Sequence, residues 1–300
     1  MLELWGKTNI DFMGKRVIAF SLSGLLTLGG VIGLIQIMRG AADLGIDFTG
    51  GTAVQLRFER PVEIGEARAA LAAGGLADAE LQEMTSEGAL LVRVKRQTAI
   101  EERAAEQIGR ILQERFAGNP LTVEGTTEIG PTVGRKLRDD AVLATTIAMV
   151  GIMIYIALRF EFRFGVAAAI ATVHDVLAVL GVFYFMDKEF TLLIITALLT
   201  LAGYSLTDTL VVFDRIRENL SRRRTESITD VINASINQVL SRTVIVSLTT
   251  FLAVFAIFLW GGDVLRDFSL ALLLGVAVGT YSSIFVASPL LMLWKGAIRR

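Results

Sequence analysis

The sequence predicts a polytopic α-helical membrane protein: six transmembrane helices plus one external α+β domain of βαββαβ order between the first and second. Three observations predict it. Six apolar stretches run roughly Val17–Met38, Ala141–Leu158, Gly165–Met186, Phe190–Val212, Val244–Gly261 and Phe268–Trp294, each long enough to cross a hydrocarbon core of about 30 Å as a helix. A water-soluble insertion, residues 39–139, follows the first of them. Two stretches carry acids, Asp175 and Asp208, where a charge is costly and usually functional. Composition agrees, with 53% hydrophobic residues and a mean hydropathy of +0.59. The apolar residues come in unbroken runs instead of alternating with polar faces, which excludes a soluble globular domain.

The first stretch, with the short amino terminus, makes a unit of residues 1–38. Its apolar run is longer than the 7–15 residue core of a signal peptide, so it reads as an uncleaved anchor despite the small residues Gly40-Ala41-Ala42. Charge sets the orientation. With the amino terminus in the cytoplasm, the cytoplasmic segments hold Lys7, Lys15, Arg16, Arg159, Arg163, Arg215, Arg217, Arg222, Arg223, Arg224, Arg242, Lys295, Arg299 and Arg300. The two short external loops hold only Lys188 and Arg266. Basic residues favour the cytoplasmic side of short loops, so both termini are expected there and residues 39–139 outside.

Within the insertion, Thr52–Phe58 alternates Val54, Leu56 and Phe58 with Gln55 and Arg57, the pattern of a half-buried strand. Pro61 opens a helix through Ala73, with Ile64, Ala67 and Leu71 on one face and Gly74-Gly75 stopping it. A weak strand near Glu80–Met84 and a better one, Ala89–Lys95, follow. Ile100, Ala104, Ile108 and Ile111 mark an amphipathic helix that ends at Gly118-Asn119-Pro120, and Leu121–Ile129 is the last strand. The order β-α-β-β-α-β is ferredoxin-like. The chain has no cysteine, which removes disulfides and thiolate chemistry, and its one histidine makes a metal site implausible. The insertion has no catalytic constellation, so no enzyme activity and no cofactor are expected, and nothing points to nucleic acid.

Two segments tie the insertion to the spans. Leu44-Gly45-Ile46-Asp47-Phe48-Thr49-Gly50-Gly51-Thr52 follows the first span, and Glu128-Ile129-Gly130-Pro131-Thr132-Val133-Gly134 precedes the second. Glycine permits positive φ and close backbone approach, and proline fixes a turn. The segments read either as shaped connectors transmitting movement or as ordinary strand-edge turns.

Residues 140–300 hold the other five spans. In the fourth, Thr200, Tyr204 and Asp208 recur every four residues as one polar stripe that would face protein. A carboxyl in low dielectric binds and releases protons near physiological pH, and Arg242 at the start of the fifth span is the natural partner to modulate it. The alternative makes Asp208 an end-charge near the headgroups. His174-Asp175, in the middle of the third span, reads as a proton shuttle or as a hydrogen-bonded strut between spans. Gly29-x-x-x-Gly33 and Gly275-x-x-x-Gly279 allow close helix packing, and Ser247, Thr249, Thr250, Tyr281, Ser282 and Ser283 add polar lining. Between the fourth and fifth spans, Ser227-Ile228-Thr229-Asp230 starts an amphipathic run whose apolar face is Ile228, Val231, Ile232, Ile236, Val239 and Leu240. This segment, near 215–241, is expected to lie along the cytoplasmic membrane surface, where Arg222-Arg223-Arg224 meets anionic lipid or only obeys the charge rule.

The two connector segments, the run 203–219 around Tyr204 and Asp208, Leu240-Ser241-Arg242-Thr243, and the run 279–289 together resemble the SecF family of the bacterial SecDF protein-export complex. The likeness extends over the whole chain in order. It implies half of a resistance-nodulation-division transporter working with a SecD-type partner beside the SecYEG channel on a translocating polypeptide. It also implies the bacterial inner membrane as the location and the proton gradient, not a cofactor, as the energy source, with Asp208 and Arg242 as the proton-handling pair. A chain starting at Met1 with six spans is expected to be the separate subunit, not a fused one. Two other functions compete: a half-transporter of small lipophilic substrates, and a passive scaffold of the export channel.

Overall fold

A computed structural model describes residues 8–84, 88–95, 104–159, 161–223 and 225–294. Six of its helices are long and apolar enough to cross a membrane. These are α1 (Arg16–Met38), α5 (Pro131–Arg159), α6 (Phe162–Phe185), α7 (Leu192–Arg222), α8 (Ile228–Trp260) and α9 (Asp263–Ser282), the last running on through the π-helical turn Ser283–Ala287. Three smaller helices precede α5, α2 (Ile46–Thr49), α3 (Ile64–Ala73) and α4 (Ala104–Arg115), along with the strands β1 (Gly51–Phe58), β2 (Glu80–Glu83), β3 (Ala89–Lys95) and β4 (Leu121–Ile129). Of the residues used in the reading above, Lys7, Ile100, Arg224, Lys295, Arg299 and Arg300 lie outside the described ones.

The sheet is antiparallel with order β2-β3-β1-β4, the arrangement expected of a βαββαβ unit. Val54, Leu56 and Phe58 of β1 and Leu90 and Val92 of β3 point to one face. There Ala67, Leu71, Ile108 and Leu112 from the two helices bury them. The helix expected from Pro61 begins three residues later, at Ile64. Proline fixes φ and gives up its own N–H, and Glu63 before the helix stays extended at ψ 125°. The opposite face of the sheet looks toward the ends of the spans.

Two span boundaries differ from the hydropathy reading. The second-span helix starts at Pro131, ten residues before its apolar run, because proline suits the first helical position. Residues 228–240 are not a separate element lying across the spans. They form the first turns of one unbroken 33-residue helix, α8, a stretch with neither glycine nor proline to end it. The expected capping box is present, with Asp230 N donating to Ser227 Oγ at 3.1 Å. Ile228, Ile232, Ile236 and Val239 pack on Val212, Phe213 and Ile216 of α7 and on Phe12 and Met13. Asn233 Oδ1 accepts from the Phe12 and Met13 N–H groups, each at 3.0 Å, which ties the amino-terminal segment to α8.

Close packing within the subunit falls at Gly30, Gly33 and Gly181 between α1 and α6, and at Gly275 and Gly279, where a Cβ would stand 2.5 Å from Leu201 and 3.0 Å from Ser205 of α7. A Cβ on Gly181 would stand 2.5 Å from Gly30 N, so α1 and α6 meet backbone to backbone. The exposed face of α1 is bulky and apolar, with Val17, Ile18, Leu25 and Leu28 more than half exposed. The exposed positions of α7 include Thr196, Thr200, Gly203 and Thr207, small or hydroxylated residues.

Candidate functional site

Asp175, just past the midpoint of α6, is fully buried, and His174 beside it is 5% exposed. Asp175 Oδ1 lies 2.8 Å from His174 Nδ1. Its Oδ2 accepts from Ser205 of α7 and from Ser282, the last residue of α9, at 2.7 Å. Asp208, near the midpoint of α7, accepts on Oδ2 from Ser283 at 2.7 Å. The two carboxylates are thus held by consecutive residues, Ser282 and Ser283, where α9 widens into a π turn. Pro289 has no N–H to give back to the preceding turn, which loosens the ladder there, and such wide turns re-aim side chains at sites of function.

Each of these serines has a second acceptor. Ser282 Oγ lies 3.1 Å from Gly279 O, and Ser283 Oγ lies 3.0 Å from Thr280 O. A serine hydroxyl carries one hydrogen, so each donates to a carboxylate or to its own backbone by rotation alone. Thr243 of α8 also faces Asp208, its buried hydroxyl without a hydrogen bond of standard geometry. His174 Nε2 is likewise buried without a partner among the described residues. One turn along, Tyr204 OH donates to Ser247 Oγ at 3.4 Å, and Thr280 Oγ1 donates to the same oxygen at 2.7 Å.

Other expected residues fall elsewhere. Arg242 is exposed on α8 and is not among the groups that face Asp208. Thr200 is exposed and donates to Thr196 O of its own helix at 2.8 Å. Thr249 does the same toward Val246 O at 2.9 Å. Tyr281 OH donates to Ala19 O at 2.7 Å, joining the last span to the first. Ser205 stands out only in the structure. A serine in an apolar span usually bonds to its own helix, and only its partner on α6 distinguishes it.

The connectors are pressed against each other and against the head of α7. Gly50 has φ +77°, and a Cβ there would stand 2.9 Å from Pro131 Cα. A Cβ on Gly134, in the first turn of α5, would stand 2.9 Å from Gly50 N. Gly51 opens β1 between Lys95 and Ile129, and Gly130 is the one residue between β4 and α5. Gly45 N donates to Phe190 O at 2.9 Å, and Asp47 Oδ2 accepts from Leu192 N at 2.9 Å. The first connector therefore caps the helix that carries Asp208.

A charged cluster joins the sheet to the 186–191 loop. Arg93 Nη1 lies 2.6 Å from Glu189 Oε2, and Lys95 Nζ lies 2.5 Å from Asp43 and 2.7 Å from Glu80. Burial pushes the Glu189 carboxyl up to about 7, with Arg93 opposing. Next to it, a cleft of about 400 Å³ opens between the sheet and the ends of α7 and α9.

The chain is similar to proteins of known family over its whole length. A family model described as protein export membrane protein SecD/SecF, C-terminal, matches residues 112–297, and one for the SecD/SecF GG motif matches residues 43–62. The protein translocase subunit SecF of Thermodesulfovibrio yellowstonii is 50% identical over 98% of this chain and 97% of its own. That of Calditerrivibrio nitroreducens is 41% identical over 98% and 96%. The crystal structure of SecDF, a translocon-associated membrane protein of Thermus thermophilus, superposes with a TM-score of 0.83 at 38% identity. It covers 97% of this chain and 40% of that one.

Proposed function

The chain belongs to the SecF family of protein translocase subunits, and we propose that it couples the proton gradient to polypeptide export across the bacterial inner membrane. In this reading it works with a SecD-type partner and the SecYEG channel, with both termini cytoplasmic and the sheet domain periplasmic. One observation carries the coupling: two intramembrane carboxylates, Asp175 and Asp208, are joined to adjacent serines that each have an alternative acceptor.

The chemistry follows from the donors. An ionised Asp208 accepts from Ser283; a protonated one has its own hydrogen to give. Ser283 then turns to Thr280 O, 3.0 Å away, without a change in backbone. Ser282 makes the same choice between Asp175 and Gly279 O. His174, whose Nε2 has no partner among the described residues, is the outlet of the Asp175 pair. Loss or gain of a buried charge changes how α6, α7 and α9 pack. The Asp47 contact on the first turn of α7 carries that change to the connector and the sheet.

The small, hydroxylated exposed face of α7 supports a protein neighbour there in place of lipid. Arg242 enters the scheme in the assembled complex, since in the isolated chain it faces outward. The test is export into membrane vesicles bearing this chain with its SecD-type partner, with and without an imposed proton gradient. The gradient should speed completion for wild type and leave Asp208→Asn unaffected, with the complex assembled in both. Equal responses would make the acid structural and favour a passive scaffold.

A further inference from the structure

The loop between the third and fourth spans carries an acid outside the intramembrane pair. Glu189 sits where the sheet meets the ends of the spans, its side chain 9% exposed. Neither of its carboxylate oxygens has a hydrogen bond of standard geometry among the described residues. Charges face it from every element packed against it: Arg93 and Lys95 on β3, Glu80 on β2, and Asp43 in the first connector. Lys95 is engaged by Asp43 and Glu80, so Arg93 is the cation left to Glu189. Two further charges border the cleft. Asp267 pairs with Lys188 at 2.8 Å, and Asp47 holds the Leu192 N–H.

We propose that Glu189 is a proton-sensing latch between the sheet domain and the spans: neutral, it lets the sheet seat on the 186–191 loop; ionised, it opposes that seating. The geometry supplies both states. A neutral carboxyl fits a buried site where no donor among the described residues meets it with standard hydrogen-bond geometry, whereas a carboxylate there has one close cation, Arg93 at 2.6 Å, and two acids nearby. When the sheet lifts away, the same group returns to water.

The direction follows from linkage. In the seated state burial holds Glu189 at about 7, above the ordinary 4.5. The seated state therefore binds the proton more tightly. Its added stability is complete below the ordinary value and is lost as pH rises through about 7. Acidification on the domain's side of the bilayer thus tightens the latch. This goes beyond the intramembrane reading and needs no proton to cross the spans.

The chain has no cysteine, so Gln113→Cys on α4 and Leu259→Cys at the end of α8 accept spin labels cleanly, and both sites are exposed. Their distance distribution in the full chain in lipid nanodiscs reports seating. From about pH 7.5 to about pH 5.5 the seating equilibrium should strengthen about 20-fold. Glu189→Gln should stay seated at both pH values. Arg93→Gln removes the charge that favours the carboxylate, so its midpoint should move to higher pH. A wild-type distribution indifferent to pH, or a response that persists in Glu189→Gln, overturns the proposal. So does an unmoved midpoint in Arg93→Gln, which can be read even where the glutamine variant does not fold.

Discussion

At the scale of single residues, the spans are organised by hydroxyls. Ser205 and Ser282 both donate to one oxygen of Asp175, and removing either leaves a buried acceptor short of a partner. An unsatisfied buried group costs about 1–3 kcal/mol, with charged groups at the upper end. Ser282→Ala should therefore lower the thermal unfolding midpoint of the detergent-solubilised chain by several degrees. Thr249→Ala, which loses only a bond to its own helix, should leave it unchanged. Equal midpoints for the two variants would mean that Asp175 does not depend on Ser282.

At the scale of elements, α1 and α6 are held together by the absence of side chains. A Cβ on Gly181 would fall 2.5 Å from Gly30 N and 2.7 Å from Gly29 C, both backbone atoms that cannot step aside. Gly181→Val must push the helices apart, and overpacking of this kind costs about 1–3 kcal/mol. Accelerated proteolysis of the first span in mild detergent is the expected readout, and wild-type resistance would show that the helices part freely. Gly24→Val, which meets nothing within 4 Å, is the control. The small-residue spacing of Gly29 and Gly33 found the right seam, since Cβ atoms there would stand 3.2 Å from Phe185 and 2.9 Å from Leu180 of α6, but not its backbone-to-backbone centre at Gly30, because the partner surface on α6 is absent from the local pattern. Strands β3 and β4 were legible to the residue, β3 because alternation over seven residues has one register and β4 because Gly118-Asn119-Pro120 and Gly130-Pro131 bound it. The acids were legible because they interrupt apolar runs. Four features were hidden for physical reasons. Helical spacing does not say that α8 continues straight, or that Arg242 faces outward. Ser205 resembles any back-bonding hydroxyl. Glu189 is buried against Arg93, almost a hundred residues earlier in the chain.

At the scale of the whole molecule, what matters is whether the sheet and the intramembrane acids move as one body, and the first turn of α7 decides it. The first N–H groups of a helix have no partner within it. Here Leu192 N donates to Asp47, a connector residue, and Ile194 N donates to the Thr191 side chain at 3.4 Å. The Gly50–Gly134 contact fastens the same connector to the head of α5. This short segment is therefore a direct route by which a push on the sheet reaches the helix bearing Asp208. Asp47→Ala deletes the link and leaves the Asp175 and Asp208 bonds untouched. Loss of a cap costs about 1 kcal/mol, which corresponds to roughly fivefold faster amide exchange at Leu192 by local opening. Asp47→Asn keeps an acceptor oxygen and should restore most of the protection. The alanine variant should also retain a normal intramembrane cluster while responding weakly to an imposed gradient in the vesicle assay. Fast exchange at Leu192 combined with a full gradient response would show that the domain and the proton-handling acids are linked by another route, through α5 or through the Arg93–Glu189 contact.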